Sequence, residues 1–425
     1  MNVKGRLIAV GLLAACTMTA CTTEPESSTE PTDQLEVVSW WTSGSEQRAL
    51  RVLLDAYQAG HPDVTVTSGA VAGGAGSNAQ IVLAQRLLAE DPPDAWQTFP
   101  GGALRAFVDR SQLADVTELY EGDLATALPD TIREGLTVEG KQYGVPTSAH
   151  RGNMLFFNKA LLAKAGVAEP GAGYTTDTFV DDLAKLDESG VTPLCLGAKD
   201  PFTTTAVFEN TLLSVIGDDG WRRISEDRFD WNSEAVDEAL GRFGQILDDA
   251  DPEAAGLTWD AATKKLADGD CAFETMNDSA FGELINEGAA EGKTFGQVPF
   301  PGTDGMYVAV VDTFVQARRS ANARNATDFL TVLASPATQL AFSEAKGSVP
   351  VRTDVDVSSL TAYQQSAAES LRNDTVLWSI VHGEAVSPQF QQGFYDAVAT
   401  YVRSRDAEAF RSTLIEAMRR PPPAK

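Results

Sequence analysis

The chain has little histidine, little cysteine and little positive charge. His61, His150 and His382 are its only histidines in 425 residues and lie far apart, and only two of the four cysteines fall outside the first 21 residues. No local metal-ligand spacing can be assembled from them. Basic residues number 33 against 60 acidic ones, a formal net charge of −27. That balance excludes a nucleic-acid footprint, which needs Lys and Arg opposite phosphates, and it excludes broad contact with anionic lipid. The acid keeps a surface solvated and names no ligand. There is no internal repeat and no G-x-S-x-G elbow to support a serine hydrolase. With so many carboxylates, no single pair stands out as a glycosidase couple. The glycine-rich stretch Gly73-Gly74-Ala75-Gly76 lacks the Lys-Ser/Thr of a phosphate loop and the spacing of a dinucleotide fingerprint. It reads as a loop near a cleft. No cofactor and no metal are expected.

Long apolar runs are missing too, with one exception. Lys4 and Arg6 precede the apolar Leu7–Ala15, after which small residues lead into Cys16 and Cys21. The run falls short of the roughly 20 residues a membrane span needs, so residues 1–20 read as a secretory leader. Leu-Ala-Ala-Cys16 and Met-Thr-Ala-Cys21 both resemble a lipobox, where an export leader is cut and the new terminal cysteine is acylated. Cys21 is favoured, with Cys16 as the alternative, because it leaves a leader of ordinary length followed directly by a linker. Residues 21–34 lack bulky apolar side chains and form a solvated tether. The expected location is the cell membrane, lipid-anchored, facing outward or into a periplasm.

The body that follows is 43% hydrophobic over the whole chain, enough for large cores. LEVVSWW (Leu35–Trp41) is β-type, and Leu50, Leu53, Leu54 and Tyr57 then recur at helical spacing. VTVTSGAV (64–71), a helix near 79–89 and a strand within Pro93–Thr98 continue the alternation, which predicts a largely parallel sheet wrapped in helices. The middle of the chain is helix-rich, and MYVAVVDTF (306–314) is another strand. Ligands in such sheets gather at the carboxyl ends of strands, which places Trp40, Trp41 and Gln97 by a cleft. Cys195 and Cys271 sit in strand-like stretches (TPLCLG and CAFETM). Outside the cytoplasm an even pair can form a disulfide, or both can remain buried thiols.

Adjacent Trp40 and Trp41 close to Glu46 point to sugars. The apolar face of a pyranose stacks on an indole, while acids and amides take its hydroxyls. Strand alternation assigns at least one of the two indoles to a core.

These residues head a series of motifs that resembles the type-II extracellular sugar-binding proteins of ABC importers, the branch with the bacterial glucose-binding proteins. LEVVSWWTSGSE carries Trp40, Trp41 and Glu46, and PPDAWQT carries Gln97. YGVPTSAHRGNMLFFN carries His150, Arg151 and Asn153. LTWDAATKKLADGDCAFETMND carries Trp259, Asn277 and Asp278. VPFPGT with VVDTF gives Asp312, KGSVPVRTDVD gives Lys346, and VHGEAVSP gives His382. The series runs from Leu35 to the end.

The resemblance implies an α/β, two-lobed periplasmic-binding-protein-like fold of type II, each lobe a β-sheet flanked by helices with the ligand cleft between. It divides the chain into 35–145 with 300–345 as one lobe, and 146–299 with 346–425 as the other. It implies a ligand set of Trp40, Trp41, Glu46, Gln97, His150, Trp259, Asp278, Asp312, Lys346 and His382. His150, Arg151 and Asn153 also fit a role in holding the crossing between lobes. It strengthens a Cys195–Cys271 disulfide, since both strands fall in one lobe. The implied protein is not an enzyme. It is a monomer that captures glucose or a related mono- or oligosaccharide and passes it to an ABC permease and, through that, an ATPase subunit. Phe99, Phe202 and Ser279 stand where the family carries a histidine and two tryptophans, which puts glucose itself in question. Two rival readings are a sugar sensor serving a signalling partner and a secreted glycoside-acting enzyme.

Overall fold

The structure is a computed structural model and describes residues 33–42, 44–71 and 76–419. The leader, Cys16 and Cys21, the tether up to residue 32 and the glycine stretch at 72–75 lie outside the described residues.

Two sheets carry the body. Their strands in chain order are β1 (Gln34–Val38), β2 (Thr65–Ser68), β3 (Ala95–Thr98), β4 (Thr137–Val138), β5 (Lys141–Gln142), β6 (Val145–Arg151), β7 (Met154–Asn158), β8 (Leu194–Cys195), β9 (Phe273–Met276), β10 (Phe295–Pro299), β11 (Met306–Gln316) and β12 (Thr375–Trp378). The larger, six-stranded sheet has the order β12-β11-β3-β1-β2 with β6 also on β11. The smaller has the order β10-β7-β9-β8, and β4 and β5 form a separate hairpin.

The sequence explains which strand is central. β11 reads MYVAVVDTFVQ, β-branched and apolar nearly throughout, and all but its first residue are buried. It pairs in parallel with β12 and antiparallel with β3 and β6. β2 reads TVTS, is mostly exposed and pairs only with β1 at the edge. The helix Gly44–Gly60 carries Glu46 in its first turn, favourable to the helix dipole, and buries Leu50, Leu53 and Tyr57 on one stripe.

Some elements are shorter than their sequence pattern. LEVVSWW leaves the ladder after Val38, because Ser39 and Trp40 turn to side-chain partners: Ser39 Oγ donates to Gln97 Oε1 at 2.7 Å, and Trp41 N donates to Ser39 Oγ at 3.2 Å. Within VTVTSGAV only Thr65–Ser68 pair. Cys271 lies just before β9 rather than in a strand. It is disulfide-bonded to Cys195 at the end of β8, with Cα atoms 5.6 Å apart.

The chain passes from the large sheet to the small one at Gly152–Asn153, between β6 and β7. Asn153 fixes that passage. Its Nδ2 donates to Thr303 Oγ1 at 2.8 Å and to Met306 O at 3.0 Å, while its Oδ1 accepts from Val308 N at 3.0 Å. Arg151 adds Nη2 to Met306 O at 2.8 Å and lies over the Tyr307 ring. Both side chains therefore serve the crossing rather than the cleft. Among the described residues no helix is long and apolar enough to cross a membrane.

Candidate functional site

A cavity with about 410 Å³ of empty space, part of it open to solvent, lies between residues of the two sheets. Trp40, Trp41, Glu46, Phe99, His150, Val310, Asp312, Lys346 and His382 line it from the large-sheet side. Phe202, Trp259, Met276, Asn277 and Ser279 line it from helices and strand ends around the small sheet.

The large-sheet wall is a network of charges. Lys346 ends the helix Pro336–Lys346, and its Nζ donates to Glu46 Oε1 at 2.9 Å and to Ser279 Oγ at 3.0 Å. The ammonium also lies 5.7 Å from the centre of the Trp41 ring, a cation–π distance. Burial raises the pKa of Glu46 more than Lys346 lowers it. Asp312 sits at a bulge, where the β11–β6 register shifts between Asp312 and Thr313. Its Oδ1 accepts from Gln97 Nε2 at 3.1 Å, and its Oδ2 from His150 Nε2 at 3.1 Å and Ser148 Oγ at 3.2 Å.

His150 bridges two carboxylates. Its Nδ1 bonds Asp278 and its Nε2 bonds Asp312. Burial and the charge of Lys346 oppose a proton on the ring, but Asp278 and Asp312 outweigh them and raise its pKa. Asp312 is lowered: burial works against its charge, and the His150 hydrogen bond and charge prevail. Both directions favour the charged forms of His150 and Asp312.

Of the residues singled out in the sequence, Trp40, Trp41, Glu46, His150, Trp259, Asp312, Lys346 and His382 come together on the cavity. Gln97 and Asp278 do not line it. Gln97 stands behind the wall, accepting from Ser39 Oγ and Trp40 N and donating to Asp312. Asp278 is fully buried and accepts from Arg151 N at 3.1 Å and Tyr363 Oη at 2.9 Å besides His150. Both hold a lining residue in place. Trp40 and Trp41 both border the cavity. Trp40 packs on Phe99 with ring centres 5.1 Å apart, and Trp41 packs on Phe314 and Phe342 from the core side. Phe99 and Phe202 flank His382 edge-on at 5.2 and 6.2 Å. His382 is held neutral, its pKa lowered to about 3 by burial and by the charge of His150.

Two close approaches bring the walls into contact. Glu283, on the helix Ser279–Asn286, accepts from Ser45 N at 3.0 Å at the start of the helix Gly44–Gly60. Gly44 is in the left-handed region at φ +57°, and a Cβ there would lie 2.1 Å from Glu283 Oε2. Gly282 meets the backbone of Lys346 and Gly347 so closely that a Cβ at 282 would lie 2.1 Å from Lys346 O. Met276, Val310, Glu283 and Glu209 were not singled out from the sequence. Val310 was findable, because it shares a strand face with Asp312.

Among the described residues no group of three or more His, Cys, Asp or Glu is arranged to hold a metal ion. What the cavity can do is hold a polyhydroxylated ring: flat apolar faces, the two carboxyl groups of Glu46 and Asp312, an ammonium donor and small neutral groups opposite.

Residues 41–340 match the family described as bacterial extracellular solute-binding protein. An uncharacterised ABC transporter extracellular-binding protein of Pyrococcus horikoshii is 28% identical over 400 residues, covering 94% of this chain and 90% of its own. A probable sugar-binding periplasmic protein of Brucella melitensis is 29% identical over 401 residues, covering 92% of this chain and 93% of its own. The crystal structure of the bacterial solute receptor AcbH, described with an exclusive preference for β-D-galactopyranose, superposes with a TM-score of 0.79 at 16% identity. It covers 90% of this chain and 97% of that one. That likeness fixes the fold as the two-lobed, type II arrangement.

Proposed function

Because the chain belongs to the bacterial extracellular solute-binding proteins, we propose that it captures a sugar between the two walls and delivers it to the permease of an ABC importer. The family is one of receptors, not enzymes. The observation that carries the reading is the convergence, in one cavity, of the aromatic faces of Trp40, Trp259 and Phe202 with the charged set Asp312, Lys346 and Glu46. Stacking surfaces take the apolar C–H face of a pyranose, and charge-assisted bonds read its hydroxyls. The similar sugar-binding periplasmic protein of Brucella melitensis supports the same ligand class, and the ABC transporter extracellular-binding protein of Pyrococcus horikoshii supports the same kind of importer.

The contacting set is Trp40, Trp41, Glu46, His150, Trp259, Asp312, Lys346 and His382, with Gln97 and Asp278 positioning it. The ligand taken is a mono- or oligosaccharide, of which one sugar ring meets the residues that line the cavity. Glucose is one candidate. Phe99 and Phe202 make the region around His382 more apolar and Ser279 makes room opposite Lys346, so related hexoses and pentoses compete with it. The lobe division carried from the sequence is 35–145 with 300–345 and 146–299 with 346–425, although β6 and β12 both pair with β11 in the large sheet. Closure is a shift of population driven by the sugar's preference for the closed walls. A lipid on Cys21, or on Cys16, tethers the monomeric receptor outside the membrane near its permease and ATPase.

The test is titration of the purified protein with glucose, galactose, mannose, xylose and several disaccharides, following tryptophan fluorescence and melting temperature together. A saturable response to one sugar with a matching rise in melting temperature is expected. Silence toward every sugar would sink the assignment.

A further inference from the structure

Glu209 lies two helical turns after Phe202 on the helix Pro201–Ser225 and is 2% exposed. It does not touch the cavity. All of its bonds go to the turn that follows β12. Oε1 accepts from Ile380 N at 2.6 Å and Val381 N at 3.0 Å. Ser379 Oγ lies 3.1 Å from Oε1 and 3.2 Å from Oε2. The same hydroxyl lies 2.9 Å from His382 Nδ1 and accepts from His382 N at 3.1 Å. His382 lines the cavity, and no described residue is a hydrogen-bond partner of its Nε2.

A serine hydroxyl has one proton to give and two lone pairs to receive with. An ionised Glu209 can only accept, so the Ser379 proton must point at it. Turned the other way, the carboxylate would face the lone pairs of Ser379 with nothing between them. With its proton committed, Ser379 Oγ can only accept from the imidazole, and His382 Nδ1 must carry the hydrogen. A neutral imidazole has one N–H, so Nε2 is then bare.

We propose that Glu209 is a positioning residue that fixes His382 in its Nδ1–H tautomer through the Ser379 hydroxyl, so that His382 offers an acceptor, Nε2, to a ligand hydroxyl. The tautomer rests on the bonds just described; its use in binding rests on the sugar-receptor reading. Glu209 thus chooses whether the site gives or takes a hydrogen bond at this point without contacting the ligand. Burial pushes Glu209 up to about 7. The titratable groups near it are Glu384 and Tyr395, and those near His382 are His150, Asp312 and Lys346.

The experiment is long-range proton–nitrogen NMR of the full chain carrying ¹⁵N-histidine, sugar-free at about pH 8.5, above the Glu209 value. With only three histidines, His61, His150 and His382, assignment by single substitution is direct. Wild type should show the His382 proton on Nδ1. In Glu209→Gln the amide oxygen can keep Ile380 N and Val381 N, while the amide N–H₂ faces Ser379 and donates to it. The Ser379 proton then turns to Nδ1, and the His382 proton moves to Nε2. Affinity for the cognate sugar should fall about tenfold, the loss of one ordinary hydrogen bond, with the melting curve little changed. A wild-type proton on Nε2 overturns the proposal by itself and needs no variant to fold. A Glu209→Gln protein with an unchanged tautomer overturns it as well. The expected pair of tautomers in a protein that binds no sugar would support the relay and overturn the receptor reading.

Discussion

The two walls of the cavity differ in kind. Every charge on the lining, Glu46, His150, Asp312 and Lys346, comes from the large-sheet side, while the opposite wall offers Phe202, Trp259, Met276, Asn277 and Ser279, all neutral. The charged wall is braced from within and from across: Gln97 and Ser148 hold Asp312 and Glu46 holds Lys346, while Asp278, between Asn277 and Ser279 of the opposite wall, holds His150. Orienting charged groups in advance spares the ligand that cost. The neutral wall makes fewer demands on geometry and can be drawn up by contact alone. Under the proposed function the charged wall would set how strongly a sugar is held and the neutral wall which sugar is admitted.

The largest effect should come from the scaffold of the neutral wall. Replacing Cys195 and Cys271 together by serine opens a cross-link spanning 76 residues of sequence and should cost about 4 kcal/mol of stability. Denaturant melts measure the loss, and amide exchange should rise in β8 and β9 while β11 stays protected. Uniform loosening of both sheets would erase the distinction between the walls. Next comes Asp312→Ala, which takes the Asp312 partner from buried Gln97 Nε2 and His150 Nε2. Sugar binding should weaken by about 3 kcal/mol, more than a hundredfold, with an unchanged circular-dichroism spectrum; calorimetry giving wild-type affinity would refute the charged wall's role.

A smaller effect concerns His382. Its folded pKa of about 3 lies below the ordinary 6.5, so on acidification the unfolded chain takes up this proton first. Stability from this group is therefore complete above about pH 6.5 and drains away as the pH falls toward 3. Between about pH 6.5 and 5.5 the loss is about 1 kcal/mol. His382→Gln lacks it, so the stability gap between wild type and variant should change by that amount across the step. Parallel pH curves would show that His382 is not held neutral. The smallest effect is Ser279→Ala, about 0.5 kcal/mol, because Lys346 keeps Glu46. Its signature is a reordering of sugar preference in competition titrations, without the general weakening of Asp312→Ala.

Much of this was legible in the sequence. Alternating patterns gave β1, the helix after it, β3 and β11, since each buries a regular apolar stripe. The motif series brought eight of the ten suggested ligand residues to one cavity. Gln97 and Asp278 stand behind the lining, because a residue's type says that it will hydrogen-bond but not whether its partner is a ligand or a neighbour. Glu209 was hidden for a related reason. It sits among Ala206, Val207, Phe208, Leu212 and Leu213, all buried, where one acid looks like an interruption. Its partners lie 170 or more residues away, and no local spacing could pair them. The full length assigned to LEVVSWW failed because Ser39 found side-chain partners that a period-two pattern does not weigh.

The meeting of Gly282 with the backbone of Lys346 and Gly347 is a joint machined without clearance. Nothing wider than hydrogen fits between the parts, so a single methyl group at that point is a doorstop. An alanine there would push Lys346 and Gly347 back by the width of one carbon. Under the proposed function such a protein would meet its sugar but close poorly over it, so that recognition and delivery would come apart at one atom.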